Sequence, residues 1–148
     1  MTDYGTVVLA HIAAEPGRIF SASDIAHETQ LALPSVRKLL KMLSKAELVA
    51  SYRGASGGYA LARPADQITA AQILDALEGP VTLTECSASD SQCRLERSCG
   101  VGRSWQHINR LIRQSLGDVS LTQLSDAQTL TVNFSLSNGL TVRSGSAS

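Results

Sequence analysis

A mainly α-helical fold carrying one small β-hairpin is predicted by three features of this sequence. Apolar residues recur at helical spacing through residues 3–46. The period then shortens in LVASYR and YALAR, on either side of Gly54-Ala55-Ser56-Gly57-Gly58. Helical spacing returns at residues 70–77 and again at 101–116. Three helices followed by a glycine-rich hairpin is the element order of a winged helix-turn-helix, here extended by a long C-terminal helix.

The first helix is expected over Asp3 to Ala14, with Asp3 as its cap, Val7, Val8, His11 and Ile12 as an apolar stripe, and Pro16-Gly17 as its stop. A short second helix is capped by Ser21 or Ser23 and faces Ile25 and Ala26 inward. The third runs from about Pro34, a first-turn residue, to Ala46. Its Val36, Leu39, Leu40 and Leu43 share one side, which leaves Arg37, Lys38, Lys41 and Lys45 outward. Thr69 caps a fourth helix over Ala70 to Leu77, stopped by Gly79-Pro80. The last long helix places Val101, Trp105, Ile108, Leu111, Ile112 and Leu116 on one side and Arg103, Arg110 and Arg113 on the other. A second copy of the chain is an economical cover for such a stripe, because operators read by these modules are usually two-fold symmetric; packing against its own domain is the alternative, and both can hold for different faces. Beyond Asp126 an alternating pattern surrounds Asn138-Gly139, which leaves an extra hairpin and a flexible extension both open.

Of 148 residues, 43% are apolar and 18% charged, values that suit one globular domain or a small domain with a dimerisation element. No apolar run approaches the roughly 20 residues of a membrane span. The N-terminus lacks a basic segment and carries Asp3, so a cytoplasmic location is expected, where thiols stay reduced. Net charge is zero, from 13 basic and 13 acidic residues. Its distribution is uneven: residues 34–63 hold six basic residues (Arg37, Lys38, Lys41, Lys45, Arg53 and Arg63) against one acid, Glu47. A local positive excess of this kind can neutralise phosphates in a neutral chain. The third helix is therefore expected in the major groove, with the Arg53 hairpin along the backbone or minor groove. GASGG lacks the Gly-Lys-Ser/Thr ending of a nucleotide-binding loop and follows no buried strand. No nucleophile–base pairing or paired carboxylates mark an enzyme.

The only three cysteines, Cys86, Cys93 and Cys99, fall in one segment spaced C-x6-C-x5-C. Structural zinc sites use tighter pairs, and ferredoxin runs are spaced differently. Widely spaced thiolates fit an object larger than one ion, such as an iron–sulfur cluster, with a fourth ligand still to find. His107, His11 and Asp3 are candidates. A reversible disulfide and three inert thiols stay open.

Together these segments resemble the Rrf2 family of transcriptional regulators. The resemblance rests on TDYGTVVLAHIA, LPSVRKLLKMLSKAELVASYRGASGGYALAR, ITAAQILDALEGP, the cysteine spacing and Trp105 six residues past Cys99, and covers residues 2–124. The segment EGPVTLTECS…CGVGRSW looks most like the branch regulating the Suf iron–sulfur assembly operon. The resemblance implies a homodimer binding double-stranded operator DNA, with a 2Fe–2S or 4Fe–4S cluster on Cys86, Cys93 and Cys99. It implies DNA contacts from Ser35, Arg37, Lys38, Lys41 and Lys45 and from the wing residues Arg53, Ser56 and Gly57, Arg53 probing the minor groove. One branch places a histidine three residues after the last cysteine, where this chain has Gly102. Another uses an N-terminal aspartate from the other subunit, and Asp3 falls at that position.

The expected organisation is a winged helix-turn-helix at 1–80, a cluster-binding loop at 81–100, a dimerisation helix and short segment at 101–126, and a tail at 127–148. The function it predicts is a repressor sensing iron–sulfur supply or redox stress and controlling iron–sulfur assembly genes. A zinc- or thiol-sensing regulator without a cluster is the alternative.

Overall fold

Reciprocal caps set where three helices of this chain begin, in a computed structural model that describes residues 1–80, 82, 100–126, 133–135 and 141–143. Helix α1 spans Thr2–Ala14, α2 Ala22–Thr29 and α3 Leu33–Lys45. Strands β1 (Val49–Tyr52) and β2 (Gly58–Leu61) follow, then α4 (Ala70–Leu77), α5 (Gly100–Gly117) and α6 (Leu121–Ser125). Two short strands, β3 (Asn133–Ser135) and β4 (Thr141–Arg143), close the described chain as an antiparallel pair, Phe134 opposite Val142. The sequence left a hairpin and a flexible extension both open there; this strand pairing is the one a hairpin has, and the rest of 127–148 lies outside the described residues.

Ser21 caps α2 through its hydroxyl, which accepts from the Asp24 amide at 3.1 Å, while the Asp24 carboxylate accepts from the Ser21 amide at 3.1 Å. These bonds to Ser21 hold the Asp24 carboxyl below its ordinary range. Thr69 and Gln72 repeat the arrangement at α4, and Ser120 and Gln123 at α6. α1 departs from it. Its cap is Met1, without a side-chain bond, and Asp3 sits inside the first turn rather than capping it. There its charge faces the positive end of the helix. The open first turn is served from 76 residues away, where Glu78 Oε1 accepts from the Thr2 amide at 3.3 Å and the Thr2 hydroxyl at 2.9 Å.

The core lies between α1, α2, α3 and α4. Val8, Leu9, Phe20, Ile25, Val36, Leu40, Leu43 and Ile68 are fully buried there. Leu121 of α6 is buried among them, so the chain returns to the core after α5. The return is stitched by backbone bonds from the Ala70 amide to the Val119 carbonyl (2.8 Å) and from the Leu121 amide to the Ile68 carbonyl (2.7 Å).

α5 does not present a single apolar side as its sequence suggests. Gly102 and Asn109 are its buried residues, and Leu111, Ile112 and Leu116 are half-buried. Val101, Trp105 and Ile108 are 63%, 40% and 40% exposed. At about 100° per residue, these three form a stripe flanking the buried seam. Arg113 turns towards the seam and pairs with Asp75 of α4 through both guanidinium nitrogens, Nη1 to Oδ1 at 2.9 Å.

Replacing Ser21 with Ala is expected to lower unfolding free energy by about 1 kcal/mol, whereas Ser23→Ala, at an exposed position inside the helix, should fall within about 0.5 kcal/mol of wild type. Urea melts of both variants check this. Because the Asp24 carboxyl is depressed on folding, its contribution is present above the ordinary carboxylate range and lost as pH falls through the lowered value. That acid-side loss should be smaller in Ser21→Ala, as read from melts at stepwise lower pH.

Candidate nucleic-acid interface

α3 owes its orientation to burial. Val36, Leu39, Leu40 and Leu43 lock one face into the core, and the opposite face carries Arg37, Lys38, Lys41 and Lys45, all exposed. At about 100° per residue, these four lie within an arc of roughly 100° centred opposite the buried stripe. None forms an ion pair or hydrogen bond among the described residues, so their charge is not spent within the chain. Ser35 is exposed in the first turn, beside Pro34. Ala32 caps this helix without a side-chain bond, unlike Ser21, Thr69 and Ser120.

The wing is a two-stranded hairpin, with Val49 opposite Leu61 and Tyr52 opposite Gly58. Arg53 directly follows β1, and Arg53 and Ser56 are exposed at the tip. The turn closes through the Gly57 amide donating to the Gly54 carbonyl at 3.0 Å. Gly54 adopts φ +105°, which favours glycine. A Cβ on Gly57 would run into the Tyr52 carbonyl oxygen and lie 2.8 Å from the Arg53 carbonyl carbon, so only glycine closes this turn undistorted. On the outer edge of β2, close to the turn, Tyr59 and Phe20 exchange both backbone bonds, at 2.9 and 2.7 Å. A Cβ on Gly58 would meet the Phe20 carbonyl, which makes this glycine a close-approach residue. In the sequence GASGG marks only the joint of a hairpin; its doubled glycine was the available signal of two separate requirements.

The structure thus brings Ser35, Arg37, Lys38, Lys41 and Lys45 onto one helix face and Arg53, Ser56 and Gly57 onto the adjoining wing. Cys86, Cys93 and Cys99 lie outside the described residues. Cys99 directly precedes α5, and Cys86 follows the last residue of α4, Leu77, by nine positions. Asp3 is exposed, and its carboxylate makes no bond among the described residues. It lines a cleft of about 580 Å³ with Val7, Ile73, Leu74, Leu116 and Leu124, where α1 meets α4, α5 and α6. His107 is exposed on α5, and His11 lies against Phe20 with ring centroids 5.1 Å apart. The Arg113–Asp75 pair was not legible in the sequence, since 38 residues separate its members. Asp75 is what raises the Arg113 pKa above its ordinary value. Asn109 is buried on the α5 seam, and its Oδ1 has no hydrogen-bond partner among the described residues.

No helix among the described residues is long and apolar enough to cross a membrane. The sequence profile of the Rrf2 family, described as an iron-dependent transcriptional regulator, matches residues 1–127. The regulator IscR of Sodalis glossinidius is 28% identical over 122 residues, covering 82% of this chain and 73% of its own. The structure of CymR, the global cysteine regulator of B. subtilis, superposes with a TM-score of 0.64 at 29% identity, covering 86% of this chain and 95% of that one. IscR of T. potens gives 0.61 at 28% identity, covering 87% and 88%. A helix-turn-helix with an unneutralised basic face, a wing and this match together place the chain among transcriptional regulators rather than enzymes: it belongs to the Rrf2 family.

Proposed function

We propose that the chain binds double-stranded operator DNA as a homodimeric repressor whose affinity is set at Cys86, Cys93 and Cys99. The observation that carries the DNA reading is the unpaired basic face of α3 beside the exposed Arg53 and Ser56. α3 enters the major groove, where Ser35, Arg37 and Lys38 are nearest the base edges. Lys41 and Lys45 meet phosphates further along, and Arg53, Ser56 and Gly57 follow the backbone into the minor groove.

Dimerisation is supported by the exposed Val101, Trp105 and Ile108 on α5 and Tyr4 and Val7 on α1. A second copy covers both patches at one isologous interface. This organisation assigns residues 1–80 to DNA recognition, 81–100 to sensing, 101–126 to dimerisation and its docking segment, and leaves 127–148 as the tail. The protein works in the cytoplasm, among reduced thiols.

For the signal, the three thiolates are the soft donors an iron–sulfur cluster requires, and Asp3 of the partner subunit is the fourth ligand. Asp3 suits that role because its carboxylate is exposed and unengaged. A carboxylate is a hard, weak partner for cluster iron, which fits a group meant to be lost. Such a group, when bound, supplies redox and oxygen sensitivity. The thiolates sit on the connection between α4 and α5, and Arg113 and Asp75 hold those two helices together. Ordering or release at the cysteines therefore acts on the junction between the dimer helix and the DNA-reading domain. Genes of iron–sulfur assembly are the proposed targets. The second reading, thiol or zinc sensing without a cluster, is favoured by the similarity to CymR, whose description is that of a cysteine regulator.

Protein purified without oxygen is expected to be brown, with sulfide matching iron. Colourless protein that stays so after reconstitution, with or without zinc, would favour the second reading. In the brown protein, Asp3→Ala should shorten the lifetime of the visible spectrum in air; an unchanged lifetime would remove Asp3 from the ligand set. Arg53→Ala should weaken specific binding by about 1–3 kcal/mol, against a smaller loss on random duplex, as read by fluorescence anisotropy. Neutralising Lys41 and Lys45 together should flatten the dependence of log K on log salt by about 2 if each meets one phosphate.

A further inference from the structure

Behind the wing lies a second cleft, of about 510 Å³, between the end of α1, the turn through Pro16 and Gly17, and the strand β2. That volume falls in the range of roughly 300–1,000 Å³ found for small-molecule sites. Ile12, Pro16, Ile19, Tyr52, Leu61 and Pro64 give it apolar walls. Ile19 and Tyr52 are 41% and 51% exposed, so two large apolar side chains are left open to water in one concavity.

The charge in the cleft is unbalanced. Glu15, Arg18 and Arg63 contribute the ionised groups. Glu15 is answered by Arg18 at 2.9 Å, and Arg18 reaches Glu28 at 3.0 Å as well. Arg63, half-buried, has no ion pair or hydrogen bond among the described residues. One guanidinium is therefore unneutralised beside an apolar, partly aromatic wall. Burying apolar surface on Ile19 and Tyr52 favours a compact hydrophobic body, and the planar guanidinium favours an anion it can grip with two parallel N–H bonds.

We propose that this cleft binds a small amphipathic anion, an aromatic or aliphatic body bearing a carboxylate or sulfonate, with Arg63 on the anion and Tyr52 and Ile19 against the body. Tyr52 is the residue before Arg53, and Leu61 ends β2. An occupant packs on both strands of the wing and biases where Arg53 points. That regulatory consequence rests on the DNA-binding reading above; the binding site itself does not.

The test is a titration of the full chain with anilinonaphthalene sulfonate, an aromatic sulfonate that brightens on leaving water, followed by displacement with phenylacetate and octanoate. The expected result is saturable binding at one site per chain, displaced by both carboxylates. Arg63→Gln should weaken it by about tenfold or more with an unchanged thermal midpoint, and Tyr52→Ala should weaken it too. Arg63→Lys should restore part of the affinity, which a purely structural role for Arg63 would not predict. An isotherm unchanged in both Arg63→Gln and Tyr52→Ala would overturn the proposal, as would loss of binding only in Trp105→Ser, which would put the dye on the open stripe of α5. Operator binding measured with and without saturating phenylacetate then separates the two readings. Arg63-dependent dye binding by a chain that binds no duplex retires the DNA reading and leaves the cleft. DNA binding by a chain that takes up no dye does the reverse.

Discussion

Phe20 is the point through which the wing and the helix-turn-helix hold each other. Its ring is fully buried, and its backbone exchanges two hydrogen bonds with Tyr59 of β2. A two-stranded hairpin is marginal by itself in water. Here the third partner is one residue of extended chain just before the Ser21 cap, which fixes the wing relative to α2 and, through the core, to α3. The same ring lies under the Arg18 guanidinium, 4.3 Å from its centroid, and edge-on to His11 at 61°. Arg18 in turn gathers Glu15 and Glu28. His11 Nε2 comes within 2.7 Å of Glu28 but without hydrogen-bond geometry. One buried aromatic thus organises α1, α2 and the wing, and the Gly58 close approach is what lets β2 reach it.

Two connections of long sequence separation set the other half of the molecule. Glu78, just past the end of α4, closes the open first turn of α1. Arg113 clasps Asp75 and holds α5 against α4. Asp75 on α4 and Glu78 at its C-terminal end are the two anchors, on the helix after which the cysteine segment begins. Exposed pairs contribute little to stability, typically below about 1 kcal/mol. A bidentate pair nevertheless fixes an angle, here the one at which α5 leaves the helix-turn-helix domain.

The basic surface has a simple physical origin. α3 must bury Val36, Leu39, Leu40 and Leu43, so the residues on the opposite side face water, and four of these are cationic without acid partners among the described residues. A neutral chain thereby acquires a concentrated positive face. The wing adds Arg53 by the same logic, because the Gly54–Gly57 turn leaves its tip residues no core to enter.

Much of this was legible in the sequence because it is local. The stripes of α2, α3 and α4, the Ser21 and Thr69 caps and the hairpin around GASGG are all set within a few residues, by periodicity, hydroxyl–amide geometry and glycine conformation. The basic face followed from the apolar stripe on its far side. Tertiary structure decided what depends on distant partners. Asp3 is not a cap, since α1 begins at Thr2 and Glu78 takes over that task. Val101, Trp105 and Ile108, in the first half of α5, stay exposed, whereas Leu111, Ile112 and Leu116, in the second half, are half-buried around the Arg113–Asp75 contact with α4. Gly58 serves Phe20 rather than the turn, and Leu121 returns to a core built by the first half of the chain. Each of these is a packing relation between residues far apart in the chain, for which neither helical period nor local spacing carries a signal.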